Sequence, residues 1–286
     1  MCTTCGCGEN SKPKLIDPKT GNVVSIDLRQ SHDREPAHHH DHDASHTKTI
    51  HLEAEILAKN DRIAERNREW FQEQNIMALN LVSSPGSGKT TLLEQTLRDL
   101  GDQMPIFVIE GDQETANDAE RIRATGCRVV QVNTGTGCHL EANMVAHSMG
   151  KLQPSRNSIV MIENVGNLVC PALFDLGERC KVVILSVTEG EDKPIKYPHM
   201  FRASDIIILN KIDLLPYVQF DPDKCIQYAR QVNPNIRVFQ LSATTGEGMD
   251  AWTRWLKQQV QSKEKMDPGC PRFLFPQNCP TKQDHL

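Results

Sequence analysis

At 286 residues the chain is long enough for one large α/β domain with tails, or for two small domains. Apolar residues make up 38% of it, enough for a core, while aromatics at 5% predict that this core is aliphatic. A net charge of -5 gives no broad basic surface and argues against nucleic acid as a partner, and no run approaches the ~20 apolar residues of a membrane span.

The polar, cysteine-rich N-terminus does not have the form of a signal peptide, so the expected location is cytoplasmic. Ten cysteines in such a chain read as reduced thiols and metal ligands rather than disulfides. Cys2, Cys5 and Cys7 form a C-x-x-C-x-C pattern in which Gly6 and Gly8 relieve the tight backbone. Three thiolates and the chain's own α-amine would suit Ni²⁺ in tetragonal geometry or Zn²⁺ in tetrahedral geometry; a reactive, unliganded tail is the bland alternative. A histidine tract follows at His38, His39, His40 and His42, with His32, His46 and His51 nearby, a composition that binds divalent metals loosely. Between the two clusters disorder is expected, and residues 1–48 read as a disordered metal-binding N-terminal region.

From Thr49 the pattern becomes helical, with Ile50, Leu57, Ile63, Ala64, Trp70 and Phe71 predicted to form an apolar core-facing stripe. The strand that follows at Ala78 runs into Ser83-Ser84-Pro85-Gly86-Ser87-Gly88-Lys89-Thr90-Thr91, which has the form of a phosphate-binding loop. Gly86 and Gly88 permit the turn, and backbone N–H groups from Gly86 through Thr91 would cradle phosphates at a helix N-terminus. Lys89 would reach the β- and γ-phosphates, and the Thr90 hydroxyl would bind Mg²⁺. The usual first glycine of such loops is Ser83 here.

Beyond the loop, predicted helices at 90–100, 115–124 and 140–149 alternate with apolar strands at 105–110, 128–132 and 158–162. Strands at 181–187, 205–210 and 237–241 and a helix at 249–260 follow. This alternation predicts an α/β fold of the P-loop NTPase kind, a mostly parallel sheet with helices on both faces, over residues 49–261. Right-handed crossovers would bring the chemistry-bearing strand ends to one edge. Residues 262–286, with four prolines and with Cys270 and Cys279, read as a mobile tail.

Two carboxylates fall at strand ends: Asp112, to orient water or bind Mg²⁺ through water, and Glu163 at the Walker B position, with Gly166 three residues on as a γ-phosphate sensor. Glu110 and Glu114 are alternatives to Asp112. No glutamine or arginine finger can be assigned, so slow hydrolysis is expected. Asn210-Lys211-Ile212-Asp213 ends another apolar strand and resembles the guanine-recognition motif of GTPases. Asp213 can accept two hydrogen bonds from N1–H and the exocyclic amine of guanine, a pattern adenine lacks. Asn210 would brace the loops, Lys211 would cover the base, and Ser242-Ala243 resembles the supporting motif at the guanine carbonyl. Cys138 and His139 after Gly135-Thr136-Gly137, and Cys170 before Pro171, lie on loops at the same edge, where nucleotide state could move them. Pairing across a two-fold axis could complete a site that one subunit leaves open. Cys127, Cys180 and Cys225 read as buried and structural.

Together these stretches, with Glu-Gly-Asp-Gln at 110–113, Asn-Thr-Gly-x-Gly-Cys-His at 133–139 and Glu-Asn-Val-Gly-Asn-Leu-Val-Cys-Pro at 163–171, closely resemble the hydrogenase nickel-incorporation GTPases, the HypB family of dimerising P-loop metal chaperones. The Cys-Thr-Thr-Cys-Gly-Cys start is similar to the nickel motif of a subset of that family. The resemblance implies GTP-driven delivery of Ni²⁺ to the large subunit of [NiFe] hydrogenase, with a small nickel/zinc metallochaperone as partner. It implies too that Cys138, His139 and Cys170 form a Ni²⁺ or Zn²⁺ site at a GTP-stabilised homodimer interface. The signature lysine of the wider class is Ser84 here. Rival readings are a nickel/zinc storage protein with a regulatory nucleotide domain, a urease-type nickel-delivery GTPase, whose Cys-Pro-His site is not found, and a small-molecule kinase, against which Asn210 to Asp213 speaks.

Overall fold

The computed structural model describes residues 14–16, 23–25, 43–113 and 117–261. Cys2, Cys5, Cys7, His32, His38 to His42, Glu114, Cys270 and Cys279 lie outside the described residues. In chain order the elements are β1 (Lys14–Ile16), β2 (Val23–Ser25), α1 (Asp43–Glu73), β3 (Met77–Ser83), α2 (Lys89–Leu100) and β4 (Ile106–Asp112). Next come α3 (Asn117–Ala124), β5 (Arg128–Asn133), α4 (Ala142–Leu152), β6 (Ile159–Glu163), a 3₁₀ turn at Cys170–Ala172 and β7 (Cys180–Ser186). The short helices α5 (Lys193–Lys196) and α6 (Pro198–Ala203) precede β8 (Ile206–Asn210), a second 3₁₀ turn at Ile212–Tyr217, α7 (Pro222–Val232), β9 (Arg237–Gln240) and α8 (Met249–Gln261).

The strands form one sheet in the order β2-β1-β5-β4-β6-β3-β7-β8-β9. From β5 to β9 every pairing is parallel. Strands β3 and β7 are buried along their whole length, as a parallel sheet covered on both faces requires. Alternate residues divide the core. Leu79 and Leu81 pack with α2, α3 and α8, while Ala78 packs with Phe71 of α1 and with Met144 and Val145 of α4. A third cluster sets Val82 and Ile207 against Phe201 of α6 and Ala229 of α7. The fold is the expected α/β sheet with helices on both faces. Its core is less purely aliphatic than composition suggests, because Trp252 is buried and stacks on Trp255 at 5.3 Å.

Several details differ from the sequence expectation. Six residues of the stretch expected to be disordered form β1 and β2, which pair antiparallel and attach to β5. Their cores, Leu15-Ile16 and Val23-Val24, are short β-formers on either side of Pro18 and Gly21, a hairpin signal too brief to stand out. Helix α1 starts at Asp43, not near Thr49. Its fully buried line is Asn60, Ala64, Asn67 and Phe71, two of them polar, whereas Leu57, Ile63 and Trp70 are only half-buried. Helix α7 has no counterpart among the elements expected from sequence, although Asp221 caps it by accepting the Lys224 N–H at 3.1 Å and Pro222 occupies its first turn. Of the three cysteines expected to be buried, Cys180 and Cys225 are, and Cys127 is half-buried.

Candidate nucleotide and metal site

The loop between β3 and α2 leaves the centre of the sheet, with β6 and β7 on either side of β3. Gly86 and Gly88 both adopt positive φ, 76° and 92°, and Gly88 is the residue from which α2 starts. A Cβ at Gly88 would stand 2.6 Å from Asn210 Nδ2, so this glycine is needed for close approach as well as for its backbone. Ser83 serves in place of the first glycine because it ends β3 with no positive φ, its hydroxyl donating to the Ser84 carbonyl at 2.6 Å.

The Asn210–Asp213 stretch is fastened directly to this loop. Asn210 donates to the Ser87 carbonyl at 2.9 Å and accepts from the N–H groups of Lys211 and Ala243 at 2.8 and 3.1 Å. Lys211 reaches across to the Gly86 carbonyl at 2.7 Å. Ser242 is buried, and its hydroxyl accepts the Thr245 N–H at 3.1 Å. Asp213 Oδ1 is buried without a hydrogen-bond partner, which leaves it able to accept from a bound ligand.

Sequence reasoning missed two charged residues beside the loop. Glu189 accepts the Ser87 hydroxyl at 2.7 Å and the Ser186 N–H at 2.9 Å. Lys193 sits 3.5 Å from Glu189 and 3.4 Å from the Ser84 hydroxyl, so a lysine stands next to the position where the signature lysine is absent. Both follow β7 within a charged Glu189-Gly190-Glu191-Asp192-Lys193 run, and only the β3–β7 pairing brings that run to the loop.

Glu163 ends β6 facing the same loop. Its Oε1 accepts the Thr90 hydroxyl at 2.7 Å and lies 3.9 Å from Lys89 Nζ, while Oε2 is buried and unpartnered. Hydroxyl and carboxylate oxygens with an orphaned acceptor suit a hard cation such as Mg²⁺. Gly166 abuts the loop so closely that a Cβ there would lie 3.2 Å from Pro85 Cα. Asp112 ends β4, two residues beyond Glu110, which is the register partner of Glu163. Burial, reinforced by Glu163, pushes the Glu110 carboxyl up to about 9.

Because the Glu110 value is raised from 4.5, its contribution to stability is fully present below about that pH and is lost as the pH rises toward 9. Burial of neutral His139 offsets this loss up to about pH 6.5, so the nucleotide-free protein is expected to lose thermal stability between pH 7 and 9, and Glu110→Gln to flatten that slope by up to about 1.4 kcal/mol per pH unit. Melting temperatures across that range check it; an unchanged slope in the variant would mean that Glu110 is ionised throughout.

The loops after β5 and β6 bring Cys138, His139 and Cys170 together. Cys138 Sγ is 2.8 Å from Cys170 Sγ and 3.6 Å from His139 Nδ1, and the three ligand atoms lie within 4.8 Å of one another. His139 stacks against Phe174 at 3.9 Å, and its Nε2 is buried without a partner. Burial lowers this imidazole to about 4, which keeps it neutral and able to ligate at neutral pH. Two sulfurs and a nitrogen suit a soft or borderline ion such as Ni²⁺ or Zn²⁺. In contrast, burial pushes the thiols of Cys127, Cys180 and Cys225 up to about 12, as inert structural cysteines require.

Residues 77–240 match the family model described as the CobW/HypB/UreG nucleotide-binding domain. Hydrogenase maturation factor HypB of Escherichia coli K12 is 50% identical over 91% of this chain and 99% of its own length. The protein of the same description from Azotobacter vinelandii is 48% identical over 91% and 92%. Among solved structures, the hydrogenase maturation factor HypB of Archaeoglobus fulgidus superposes with a TM-score of 0.67 at 39% identity, covering 71% of this chain and 99% of that one. HypB of Helicobacter pylori in complex with nickel also gives 0.67, at 36% identity over 72% and 96%.

Proposed function

The chain belongs to the CobW/HypB/UreG family, among its HypB hydrogenase maturation factors, and from that premise we propose that it is a GTP-hydrolysing chaperone that inserts Ni²⁺ into the large subunit of [NiFe] hydrogenase. One observation carries the reading. The Cys138–His139–Cys170 cluster stands on the two loops that continue β5 and β6, and β6 ends in Glu163, which accepts the Thr90 hydroxyl of the phosphate loop. Metal cargo and nucleotide are thereby held by the same sheet edge.

In this reading Asp213 selects guanine, Lys211 and Asn210 tie the base end to the loop, and Gly86 to Thr91 hold the phosphates with Lys89 as counter-charge. Thr90 and Glu163 would hold Mg²⁺, which when bound neutralises phosphate charge. Asp112 positions water, and Gly166, against Pro85, senses the γ-phosphate. Turnover is slow, as suits a switch. Cys138, His139 and Cys170 would bind Ni²⁺ or Zn²⁺ in a GTP-dependent homodimer, and Cys2, Cys5 and Cys7 would provide a second site. A nickel/zinc metallochaperone and the hydrogenase large subunit are the partners. The chain would work in the cytoplasm, and among the described residues no helix is long and apolar enough to cross a membrane.

The test is Ni²⁺ release to a chromophoric chelator from the full chain carrying Cys2→Ser, Cys5→Ser and Cys7→Ser, loaded with GDP or a non-hydrolysable GTP analogue. The two rates are expected to differ by about tenfold, the size of a typical coupling, and Cys138→Ala is expected to abolish the difference. Identical rates would transfer delivery to the N-terminal cysteines. Linkage is reciprocal for equilibrium binding, so whatever factor separates the Ni²⁺ affinities of the two nucleotide states must reappear in the change that bound Ni²⁺ makes to the ratio of GTP-analogue to GDP affinity.

A further inference from the structure

We propose that Asn164 is the positioning residue through which nucleotide state reaches the Cys138–His139–Cys170 cluster, by way of a buried chain of amide and carboxylate side chains running under both ligand loops. The inference rests on the proposed function and adds the route of coupling. Asn164 directly follows Glu163 and is itself 1% exposed. Its Oδ1 accepts the Leu140 N–H at 3.1 Å and the Val165 N–H at 2.9 Å, and its own N–H donates to the Leu81 carbonyl at 3.0 Å. Leu140 is the residue after the ligand His139. Its side chain fills the space a Cβ would take at Gly111, 2.8 Å from that position, between Glu110 and Asp112. The strand ends that present Asp112 and Glu163 therefore both grip Leu140, one by packing and one by a hydrogen bond.

A second limb runs to Cys170. Asn164 Nδ2 donates to Asn80 Oδ1 at 3.2 Å, and Asn80 donates in turn to Glu178 Oε1 at 3.0 Å. Glu178 accepts the Leu176 N–H at 2.7 Å and lies 3.6 Å from Lys181, whose ammonium donates to the carbonyls of Pro171 and Phe174 at 2.9 and 3.2 Å. Pro171 follows Cys170, and Phe174 is the ring on which His139 stacks. Asn80, Glu178 and Lys181 are all buried, Asn80 completely and in the middle strand of the seven that pair in parallel. Apolar residues would fill such positions more favourably unless the polar groups have a task.

Buried donors explain why movement would be transmitted. If Glu163 shifts as it exchanges Thr90 for a nucleotide-bound cation, Asn164 shifts with it. The Leu140 N–H, away from water, must then follow its acceptor or lose it. The same holds for the Asn80 limb. The ligand loops therefore move as a pair and not independently.

The test uses cobalt(II) as spectroscopic probe of thiolate ligation, titrated into the full chain with Cys2, Cys5 and Cys7 changed to serine. In that parent, Co²⁺ affinity with the GTP analogue and with GDP is expected to differ about tenfold; Asn164→Ala should reduce the ratio below about twofold while GDP affinity stays within about twofold of the parent's. Asn80→Leu, which cuts only the limb to Cys170, should also shrink the ratio and alter the thiolate charge-transfer band's response to nucleotide, and it stands in if Asn164→Ala does not fold. A full ratio persisting in a folded variant overturns the relay and leaves the proposed function standing. No ratio in the parent overturns the relay together with the reading that nucleotide state controls this cluster, and transfers delivery to the N-terminal cysteines.

Discussion

Asp213→Asn is expected to weaken GTP binding by about 100- to 1000-fold, the loss of two charge-assisted hydrogen bonds, and to bring affinity for xanthosine triphosphate above that for GTP. Asp213 Oδ1 is buried and unpartnered, and the backbone before it is fixed because Asn210 accepts from Lys211 and Ala243 while donating to Ser87. An asparagine fits the same space but turns one acceptor into a donor. Guanine offers two donors on that edge and clashes electrostatically with the new N–H, whereas xanthine places a carbonyl where guanine has its amine. Competition of the two triphosphates against a fluorescent GDP derivative would measure the exchange. Unchanged GTP affinity would mean that the base is held elsewhere.

Gly177→Ala is expected to destabilise the domain by about 3–5 kcal/mol, combining left-handed backbone strain with overpacking against a helix. Gly177 has φ 87°, and a Cβ there would stand 2.5 Å from the Ala64 carbonyl oxygen and 2.9 Å from the Arg68 nitrogen, backbone atoms of α1 that cannot step aside. This contact is where α1 clamps the ligand loops. Asn67 donates to the carbonyls of Ala142 and Leu176 at 2.8 and 3.0 Å, and Asn60 donates to Asp175 at 2.8 Å while accepting the Ala142 N–H at 2.9 Å. Pushing α1 away would loosen the cluster as well as the fold. Gly126 is the control, with a similar φ of 83° and nothing within 4 Å of a Cβ, so Gly126→Ala should cost only the backbone strain of about 1–2 kcal/mol. Denaturant unfolding of both variants decides it; equal losses would show that α1 yields.

Much of this could be read along the chain because the chemistry is local. A strand, two glycines with positive φ and a helix N-terminus make the phosphate loop within residues 77–100, and an apolar strand presents the Asn210–Asp213 turn in the same way. Apolar strands alternating with helices specify a parallel sheet, since such strands must be covered on both faces. Cys138, His139 and Cys170 were legible as residues with ligating chemistry and as a family resemblance.

Their meeting was decided by the tertiary structure. Cys138 and Cys170 are 32 residues apart, and they touch because β4 stands between β5 and β6 and their loops converge over it. Glu189 and Lys193 reach the phosphate loop only because β7 pairs with β3. The asparagines of α1, β3 and the loop after β6 resemble ordinary polar residues in sequence, since a hydrogen bond across 84 residues leaves no local period or spacing. Sequence alone determined what each short stretch can bind, because backbone conformation and side-chain type act over a few residues. The sheet order decided which of those stretches share an edge and what passes between them, because that depends on burial summed over the whole chain.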